Sequence, residues 1–369
     1  MPVNLFEPCR IGGMELRNRF MRSATWDGSA DSSGAVTDTS VALYRELGRG
    51  GVGLIVSGYA FISALGQASP GQYGIHSDDM LPGLHRLVQV AHQGGAKIAA
   101  QIVHAGINSR YLAQKGIKSL AVAEMPEVER PHRQMTEEEI EEIISQFAAA
   151  AGRAVAAGFD AVQLHGAHGY LMSQFLSPLY NHRTDGWGGT AVKRRRFHLE
   201  VTKRVRRAVG GAFPLMIKLG VQDDREGGLS LEEGIETGRQ MADNGIDAIE
   251  VSAGVGSPVQ TTRQGDPERA YFRERAAALK RKVSVPVMLV GGIRSLEMAK
   301  SIVDSADADL ISMCRPFIRE PDLIRRWQKG EVKPGKCISC NKCSAIVGKG
   351  ESLECGEERR LREEVSARG

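Results

Sequence analysis

The segment "TEEEIEEIISQFAAAAGRAVAAGFDAVQLHGA", residues 136–167, joins a helix pattern to a strand pattern, and this combination recurs along the chain. Thr136 and Glu139 have the spacing of a capping box, and Gly158 is typical of a residue just past a helix end. The following run, 161–167, is short and almost continuously apolar, as expected for a strand that is covered on both faces. The segment therefore predicts a helix that leads into a buried parallel strand.

Eight such strand-like runs are separated by helical patterns, and Ser230 and Ser295 are predicted to cap two of the later helices. The runs are 19–25, 53–61, 97–104, 161–167, 215–221, 248–254, 287–292 and 310–316. Strands that alternate with helices form a parallel sheet, and eight of them close a barrel. The predicted fold class is α/β, a TIM (β/α)8 barrel over residues 1–330. An N-terminal hairpin turning at Gly12 and Gly13 is expected to cap it, and a cysteine-rich tail follows over residues 331–369.

The composition is that of an ordinary globular protein and argues against several functional classes. The chain has 369 residues, is 42% hydrophobic and 25% charged, and has a net charge of +4. So small an excess of basic residues does not indicate nucleic-acid binding. No apolar run approaches the roughly 20 residues of a membrane helix, and the N-terminus lacks a signal pattern. We expect a cytoplasmic homo-oligomer with a small-molecule substrate and neither a membrane nor a nucleic-acid partner.

In a TIM barrel the loops at the carboxyl ends of the strands carry the chemistry. His165 ends the fourth predicted strand, and His168 and Tyr170 follow in its loop. Metal binding is one interpretation, although helical zinc ligands usually stand four residues apart. A packing role is another. We favour two neutral imidazoles that donate hydrogen bonds to a carbonyl or anionic oxygen, with Tyr170 as proton donor.

Polar residues also mark the ends of other predicted strands. Lys218 stands in the apolar run "LMIKLGV", where a lysine is costly unless it meets an anion. It could form a Schiff base or serve an anionic cofactor. Gly291, Gly292 and Arg315 suggest a phosphate site after strands seven and eight. Gln101 offers both a donor and an acceptor, which suits the edge of a heterocyclic amide ring.

Several long motifs resemble the FMN-dependent old yellow enzyme family of NADH:flavin oxidoreductases and ene-reductases. They are "LHGAHGYLMSQFLSPLYNHRTDGWGG", "NRFMRSAT", "KIAAQIVHAG" and "DLISMCRPFIREPDL", in colinear order over roughly residues 2–330. The resemblance implies FMN at the barrel mouth, reduction by NAD(P)H, and hydride transfer to the β-carbon of an activated C=C bond such as an enone or enoate. It also implies that His165 and His168 bind the substrate carbonyl and that Tyr170 protonates the α-carbon.

The resemblance further implies a set of cofactor contacts. They are Ala24, Thr25, Gly58, Gln101, Lys218, Gly291, Gly292, Cys314 and Arg315. Lys218 keeps the positive charge of the arginine that the family usually has near flavin N1 but lacks its two-pronged donor. Trp26 falls on the substrate side, and either Trp26 or Thr25 could face the flavin. Gly28 stands where some members have a tyrosine.

Four cysteines, Cys337, Cys340, Cys343 and Cys355, crowd the tail with gaps of two, two and eleven residues. Such thiols suit a 4Fe-4S cluster or zinc, and free thiols are the third interpretation. The spacing is similar to that in dienoyl-CoA reductases and trimethylamine dehydrogenase, which continue into a dinucleotide-binding half. Since the sequence ends at Gly369, we expect no such half, and a cluster would need an electron-transfer partner protein.

The main functional prediction is an FMN-dependent NAD(P)H oxidoreductase of the ene-reductase type. The first alternative is a flavin and iron–sulfur enzyme similar to dienoyl-CoA reductases or amine dehydrogenases, although no basic groove for coenzyme A stands out from the sequence. The second is a flavin-free lyase that uses Lys218 as a Schiff base. A non-enzymatic electron-transfer or scaffold subunit is the third.

Overall fold

The structure, a computed structural model, describes residues 3–256 and 270–367. Eight parallel strands form its centre. They are β1 (Phe20–Arg22), β2 (Leu54–Val56), β3 (Lys97–Val103), β4 (Ala161–Gly166), β5 (Leu215–Gly220), β6 (Ala248–Ser252), β7 (Val287–Val290) and β8 (Leu310–Met313). Each strand pairs with the next, and β8 pairs with β1, so the sheet closes on itself. The predicted TIM barrel is confirmed.

A helical segment follows each strand on the outside of the barrel. The segments are α1 (Asp38–Arg49), α2 (Leu81–Gln93), α3 (Glu137–Ala156), α4 (Ala191–Val209), α5 (Leu231–Asp243), α6 (Arg273–Lys280), α7 (Leu296–Asp304) and α8 (Leu323–Gln328). The predicted caps are present, because Thr136 and Glu139 form the reciprocal bonds of a capping box. Ser230 and Ser295 each accept a backbone N–H in the first turn of α5 and α7. None of the helices in the described ranges has the length and apolar character to cross a membrane.

The hairpin predicted at the N-terminus closes the amino-terminal end of the barrel. Its strands, Cys9–Ile11 and Met14–Leu16, are antiparallel, and Gly12 turns between them at φ +52°. Ile11, Met14 and Leu16 pack into the barrel against inward-facing residues from all eight strands. These residues are Met21, Leu54, Val56, Ala99, Ala161, Met216, Ala248, Met288 and Leu310, with β2 supplying two of them. The hairpin therefore rests on a wholly apolar layer.

The next layer of the barrel interior is polar. Side chains alternate along a strand, so the residues two positions further on also point inward. Six of them are polar and almost fully buried: Ser23, Gln101, Gln163, Lys218, Glu250 and Ser312. We call these six side chains the polar layer. The barrel interior thus changes from apolar to polar toward the strand ends that carry the chemistry.

The tail folds back over the barrel mouth through two helices, Lys342–Gly348 and Gly356–Ser366. The Leu353 N–H donates to the Asp27 carbonyl (3.0 Å). Arg294 donates to the Cys337 carbonyl (3.0 Å), and Arg319 donates to the Glu358 carboxylate (2.7 Å). The division of the chain at residue 330 stays a prediction, and residues 1–2, 257–269 and 368–369 of the predicted ranges lie outside the described residues. The tail is packed against the barrel along this face.

Candidate active site

An inner cavity of about 650 Å³ lies at the carboxyl ends of the strands. Six of the predicted cofactor-binding residues line it together: Ala24, Lys218, Gly291, Gly292, Cys314 and Arg315. They come from the ends of β1, β5, β7 and β8, so barrel closure brings together residues that are up to 291 positions apart. Six of the nine residues predicted to bind the cofactor thus meet at one cavity, and their role in binding stays a prediction.

The glycine pair after β7 has a conformation that favours glycine. Gly291 and Gly292 have φ values of +109° and +82°. A Cβ on Gly291 would come within 3.1 Å of the Tyr271 ring and 3.2 Å of the Phe272 ring. Bare backbone therefore faces the cavity here, close to Arg315. Such a pairing of exposed peptide groups and a guanidinium suits an anionic ligand group such as phosphate.

The polar layer forms the floor of this site. The Lys218 ammonium lies 3.1 Å from the Glu250 carboxylate and donates to Ser23 Oγ (2.6 Å). Glu250 Oε1 also accepts from Ser23 (2.8 Å) and Ser312 (2.7 Å). Burial raises the pKa of Glu250, but Lys218 and these hydrogen bonds outweigh burial, so the pKa lies below its ordinary value. Glu250 is therefore an ionised carboxylate inside the barrel.

Three predicted cofactor-binding residues, Thr25, Gly58 and Gln101, lie outside the described lining of the cavity. Gln101 is buried in the polar layer, where its Nε2 donates to Gln163 Oε1 (2.7 Å). The Gly58 N–H donates to Tyr44 Oη (2.7 Å). A Cβ on Gly58 would meet the Thr25 carbonyl and the Tyr73 ring, each at 3.0 Å. Gly58 is thus needed for close packing of β2 behind Thr25, and its predicted flavin contact stays a prediction.

The two histidines and the tyrosine of the β4 loop lie side by side. The His165 ring centroid is 5.1 Å from that of His168 and 5.1 Å from that of Tyr170. His168 has a left-handed backbone, φ +61°, and its Nε2 is 2.9 Å from Ser252 Oγ. Nothing among the described residues bonds His165 Nδ1, although this atom is buried. An unpaired buried nitrogen is suited to a ligand oxygen. Of the three residues, only His168 is among the described lining of the inner cavity.

Electrostatics keep all three groups uncharged near neutral pH. Burial, followed by the charges of His168 and Lys218, holds the pKa of His165 well below its ordinary value. His168 opens onto the inner cavity, yet burial among protein atoms and the charge of Lys218 lower its pKa too. Burial raises the pKa of Tyr170, although the Tyr59 hydroxyl and Arg110 act in the opposite direction. The site therefore presents neutral imidazoles and a protonated phenol.

An outer cavity of about 1540 Å³ lies between the β1 loop and the tail. Thr25 and Trp26 both line it, and Thr25 Oγ1 is 3.0 Å from Cys314 Sγ. Trp26 and Tyr170 pack on the same small apolar cluster, so Trp26 lies on the side of the predicted acid. Three cations line the outer cavity, namely Arg110, Arg315 and Lys349, and no Asp or Glu occurs among its described lining residues.

The four tail cysteines line one small cavity of about 310 Å³ beside Arg315. None of them forms a disulfide. Within residues 3–256 and 270–367, no group of three or more His, Cys, Asp or Glu side chains is placed to hold a metal ion. This result supports neither the predicted zinc site nor the predicted 4Fe-4S cluster.

Sequence reasoning missed several residues of the site. Glu250 carries the same signal that singled out Lys218, a charge inside an apolar strand, "AIEVSAG". Gln163 stands two residues before His165. Since side chains alternate along a strand, both point into the barrel. No local pattern marks Arg110, Asn341 or Lys349. They meet at the outer cavity because the tail, which carries Asn341 and Lys349, folds over the mouth beside Arg110.

The family model described as the NADH:flavin oxidoreductase / NADH oxidase family matches residues 4–333. The chain belongs to this family. The predicted old yellow enzyme relationship is thereby confirmed. This family is an FMN-binding family with NADH- and NADPH-dependent members.

The relatives of this chain differ in length. The chain is 35% identical to the NADH oxidase of Thermoanaerobacter brockii over 92% of its own length but only 53% of that relative, so it spans about half of it. It is 33% identical to the NADPH dehydrogenase of Geobacillus sp., covering 87% of its own length and 92% of the relative.

Solved structures show the same division between long and short relatives. A complex of 2-naphthoyl-CoA reductase with 2-naphthoyl-CoA superposes with a TM-score of 0.88 at 29% identity, over 95% of this chain and 56% of that one. The old yellow enzyme homologue of Zymomonas mobilis gives 0.77 at 26% identity, over 92% and 96%.

The residues around the inner cavity fit FMN. The bare glycine backbone beside Arg315 suits the phosphate, and the buried Lys218 provides a donor for the polar edge of an isoalloxazine ring. His168 lines the same cavity, and the orphaned His165 Nδ1 belongs to the ring next to it.

Proposed function

We propose that this flavin oxidoreductase uses NAD(P)H to reduce the activated C=C bond of an enone or enoate. The observation that carries the proposal is the cluster of His165, His168 and Tyr170 after β4, in which His168 lines the inner cavity and neutral imidazoles lie beside a protonated phenol. Two neutral donors and an acid in contact can polarise a carbonyl and protonate the adjoining carbon.

When bound, FMN supplies hydride transfer, first from NAD(P)H to the flavin and then from the flavin to the β-carbon of the alkene. His165 and His168 each donate one N–H to the substrate carbonyl, which draws electrons from the β-carbon. Tyr170 gives its phenolic proton to the α-carbon, and the resulting phenolate takes a proton back from solvent. The raised pKa of Tyr170 keeps this proton in place until the α-carbon becomes basic.

Tyr170→Phe tests the acid role. Anaerobic reduction of bound FMN by NADPH should stay within about twofold of the wild type, because no proton from Tyr170 enters that step. Reoxidation by 2-cyclohexen-1-one should slow by about 100-fold or more, the usual size of a lost general acid. Tyr111→Phe, on the short helix Arg110–Gln114, is the matched control. Equal slowing of both half-reactions, or of neither, would remove Tyr170 from the acid role.

We propose that the tail cysteines hold a four-iron cluster. Each iron of such a cluster takes one thiolate, so its four ligands need only enclose a common space. The shared cavity of Cys337, Cys340, Cys343 and Cys355 supports this arrangement better than a single ion. An anaerobic absorption spectrum with an iron and zinc assay tests it, and flavin bands without iron would refute it. A partner protein that exchanges electrons with the cluster would then be required.

A coenzyme A thioester is the second candidate substrate. The three cations of the outer cavity, Arg110, Arg315 and Lys349, favour it, because coenzyme A carries phosphates that guanidinium groups bind well. A crotonyl-CoA substrate should then show a lower KM than the N-acetylcysteamine thioester of crotonate, which lacks phosphates. Equal KM values would exclude this candidate. The flavin-free lyase is disfavoured, since Glu250 and Ser23 already engage the Lys218 ammonium.

A further inference from the structure

The ion pair inside the polar layer is built into the barrel. Lys218 of β5 and Glu250 of β6 stand opposite each other in register, and their side chains are 3% and 0% exposed. Removing one member of such a buried pair strands the other charge away from water, whereas removing both does not. The Ser23 and Ser312 hydroxyls each donate a hydrogen bond to Glu250 Oε1.

The other carboxylate oxygen sets the direction of a hydrogen-bond chain. An ionised carboxylate only accepts hydrogen bonds, so Gln163 must turn its NH₂ group toward Glu250 Oε2 (2.9 Å). The Gln163 carbonyl then faces Gln101 and accepts from Gln101 Nε2 (2.7 Å). Gln101 is left with its carbonyl oxygen and one N–H to offer elsewhere. A single charge on Glu250 thereby fixes the orientation of two amides.

We infer that Glu250 is a positioning residue of the flavin site: it offsets the charge of Lys218 and, through Gln163, fixes which way the Gln101 amide faces. The inference rests on the proposed binding of FMN in the inner cavity. It makes Lys218 and Glu250 a net-neutral pair rather than a free cation beneath the flavin. The net positive charge that stabilises reduced FMN in this protein must then be smaller than the charge of an unpaired lysine.

A double-mutant cycle separates a neutral pair from a free cation. If Lys218 acts as a free cation, Lys218→Met and the double variant Lys218→Met/Glu250→Gln should both weaken binding of reduced relative to oxidised FMN by about tenfold. This corresponds to about 30 mV for a two-electron couple. If the pair is neutral, the midpoint potential of the double variant should stay within about 10 mV of the wild type, a roughly twofold change. If the midpoint potential of the double variant lies about 30 mV below that of the wild type, as expected for a free cation, the inference is overturned.

Gln163→Leu breaks the amide chain and removes one hydrogen bond to Glu250, while both members of the ion pair stay in place. The dissociation constant of oxidised FMN, from fluorescence quenching on titration of the apoprotein, should rise about tenfold, the cost of a lost, well-oriented hydrogen bond. The midpoint potential should not move. Ser312→Ala is the matched control, since it removes one bond to Glu250 and leaves the chain of amides intact. Unchanged FMN affinity in Gln163→Leu would refute the orienting role.

Denaturation of the apoprotein tests the pair without flavin. Glu250→Gln should lower the denaturation midpoint, and adding Lys218→Met should raise it again, because the stranded ammonium is removed. Absence of this rescue overturns the inference. Failure of the proposed function would look different: the wild type would take up no FMN, while the denaturation cycle would still report on the pair.

Discussion

At the residue scale, the histidine pair is predicted to bind oxyanions and carbonyls as a neutral donor. Replacing both His165 and His168 with alanine should weaken binding of phenol to the oxidised enzyme by about 100-fold, because each lost hydrogen bond to a partly charged oxygen accounts for about tenfold. Spectral titration with phenol measures it. His182→Ala, in which a surface imidazole is removed, is the control.

The pH dependence of phenol binding checks the same assignment. Burial keeps the pKa of both imidazoles below the ordinary value, so neither ring gains a proton as the pH falls from 8 to about 5. Affinity should therefore show no inflection near pH 6.5, where a solvent-exposed histidine titrates. An inflection there, lost in the double variant, would contradict neutral donors.

The sequence shows at this scale which residues carry charge but not how the charges pair. Lys218 was recognised because a lysine in an apolar strand is costly, and Glu250 supplies its counter-charge from the neighbouring strand. Pairing of that kind depends on the register between β5 and β6, which no local pattern contains. The cluster of His165, His168 and Tyr170 was predictable because one loop carries all three.

At the element scale, Gly28 allows the tail to close over the mouth. It has φ +63°, and a Cβ there would lie 2.7 Å from Val347 Cγ1 in the helix Lys342–Gly348. The tail helix therefore occupies the space that a side chain at position 28 would fill. The sequence showed the missing side chain, and only the structure shows what fills its place.

Gly28→Ala should loosen the tail. The left-handed backbone alone costs an alanine about 1–2 kcal/mol, and the contact with Val347 adds to it. We expect faster tryptic cleavage within residues 331–367. Gly116→Ala is a matched control, since Gly116 has φ +67° and nothing lies within 4 Å of a Cβ placed there. Equal cleavage rates in the two variants would show that Gly28 does not hold the tail in place.

At the scale of the whole molecule, the barrel was predictable because its signals are local and repeated. Caps such as Thr136 and Ser230 start helices, and continuous apolar runs make strands that both faces cover. The position of the tail was not predictable, since its contacts join residues far apart, such as Asp27 with Leu353 and Arg315 with Asn341. Barrel closure and tail packing together decide which residues meet at the two cavities.

The stability of the whole barrel should depend on pH through histidines that the active site does not use. His198 on α4 is fully buried, and among the described residues neither of its ring nitrogens has a hydrogen-bond partner. Burial, and then the charge of Arg195, lower the pKa of His198 to about 3. The unfolded chain takes up a proton near pH 6.5 while the folded protein does not, so stability falls as the pH falls below 6.5.

Between pH 7 and pH 5 this single residue should remove about 2 kcal/mol from the free energy of unfolding. His198→Leu should abolish that part of the loss, because leucine takes up no proton in either state. Urea denaturation of the wild type and the variant at both pH values measures the difference. His182→Leu should leave the pH dependence as it is in the wild type, since the His182 side chain lies at the surface. If His198→Leu loses as much stability as the wild type between pH 7 and pH 5, the prediction is contradicted. The His198 imidazole of the wild type would then be protonated inside the fold, with water or a rearranged acceptor beside it.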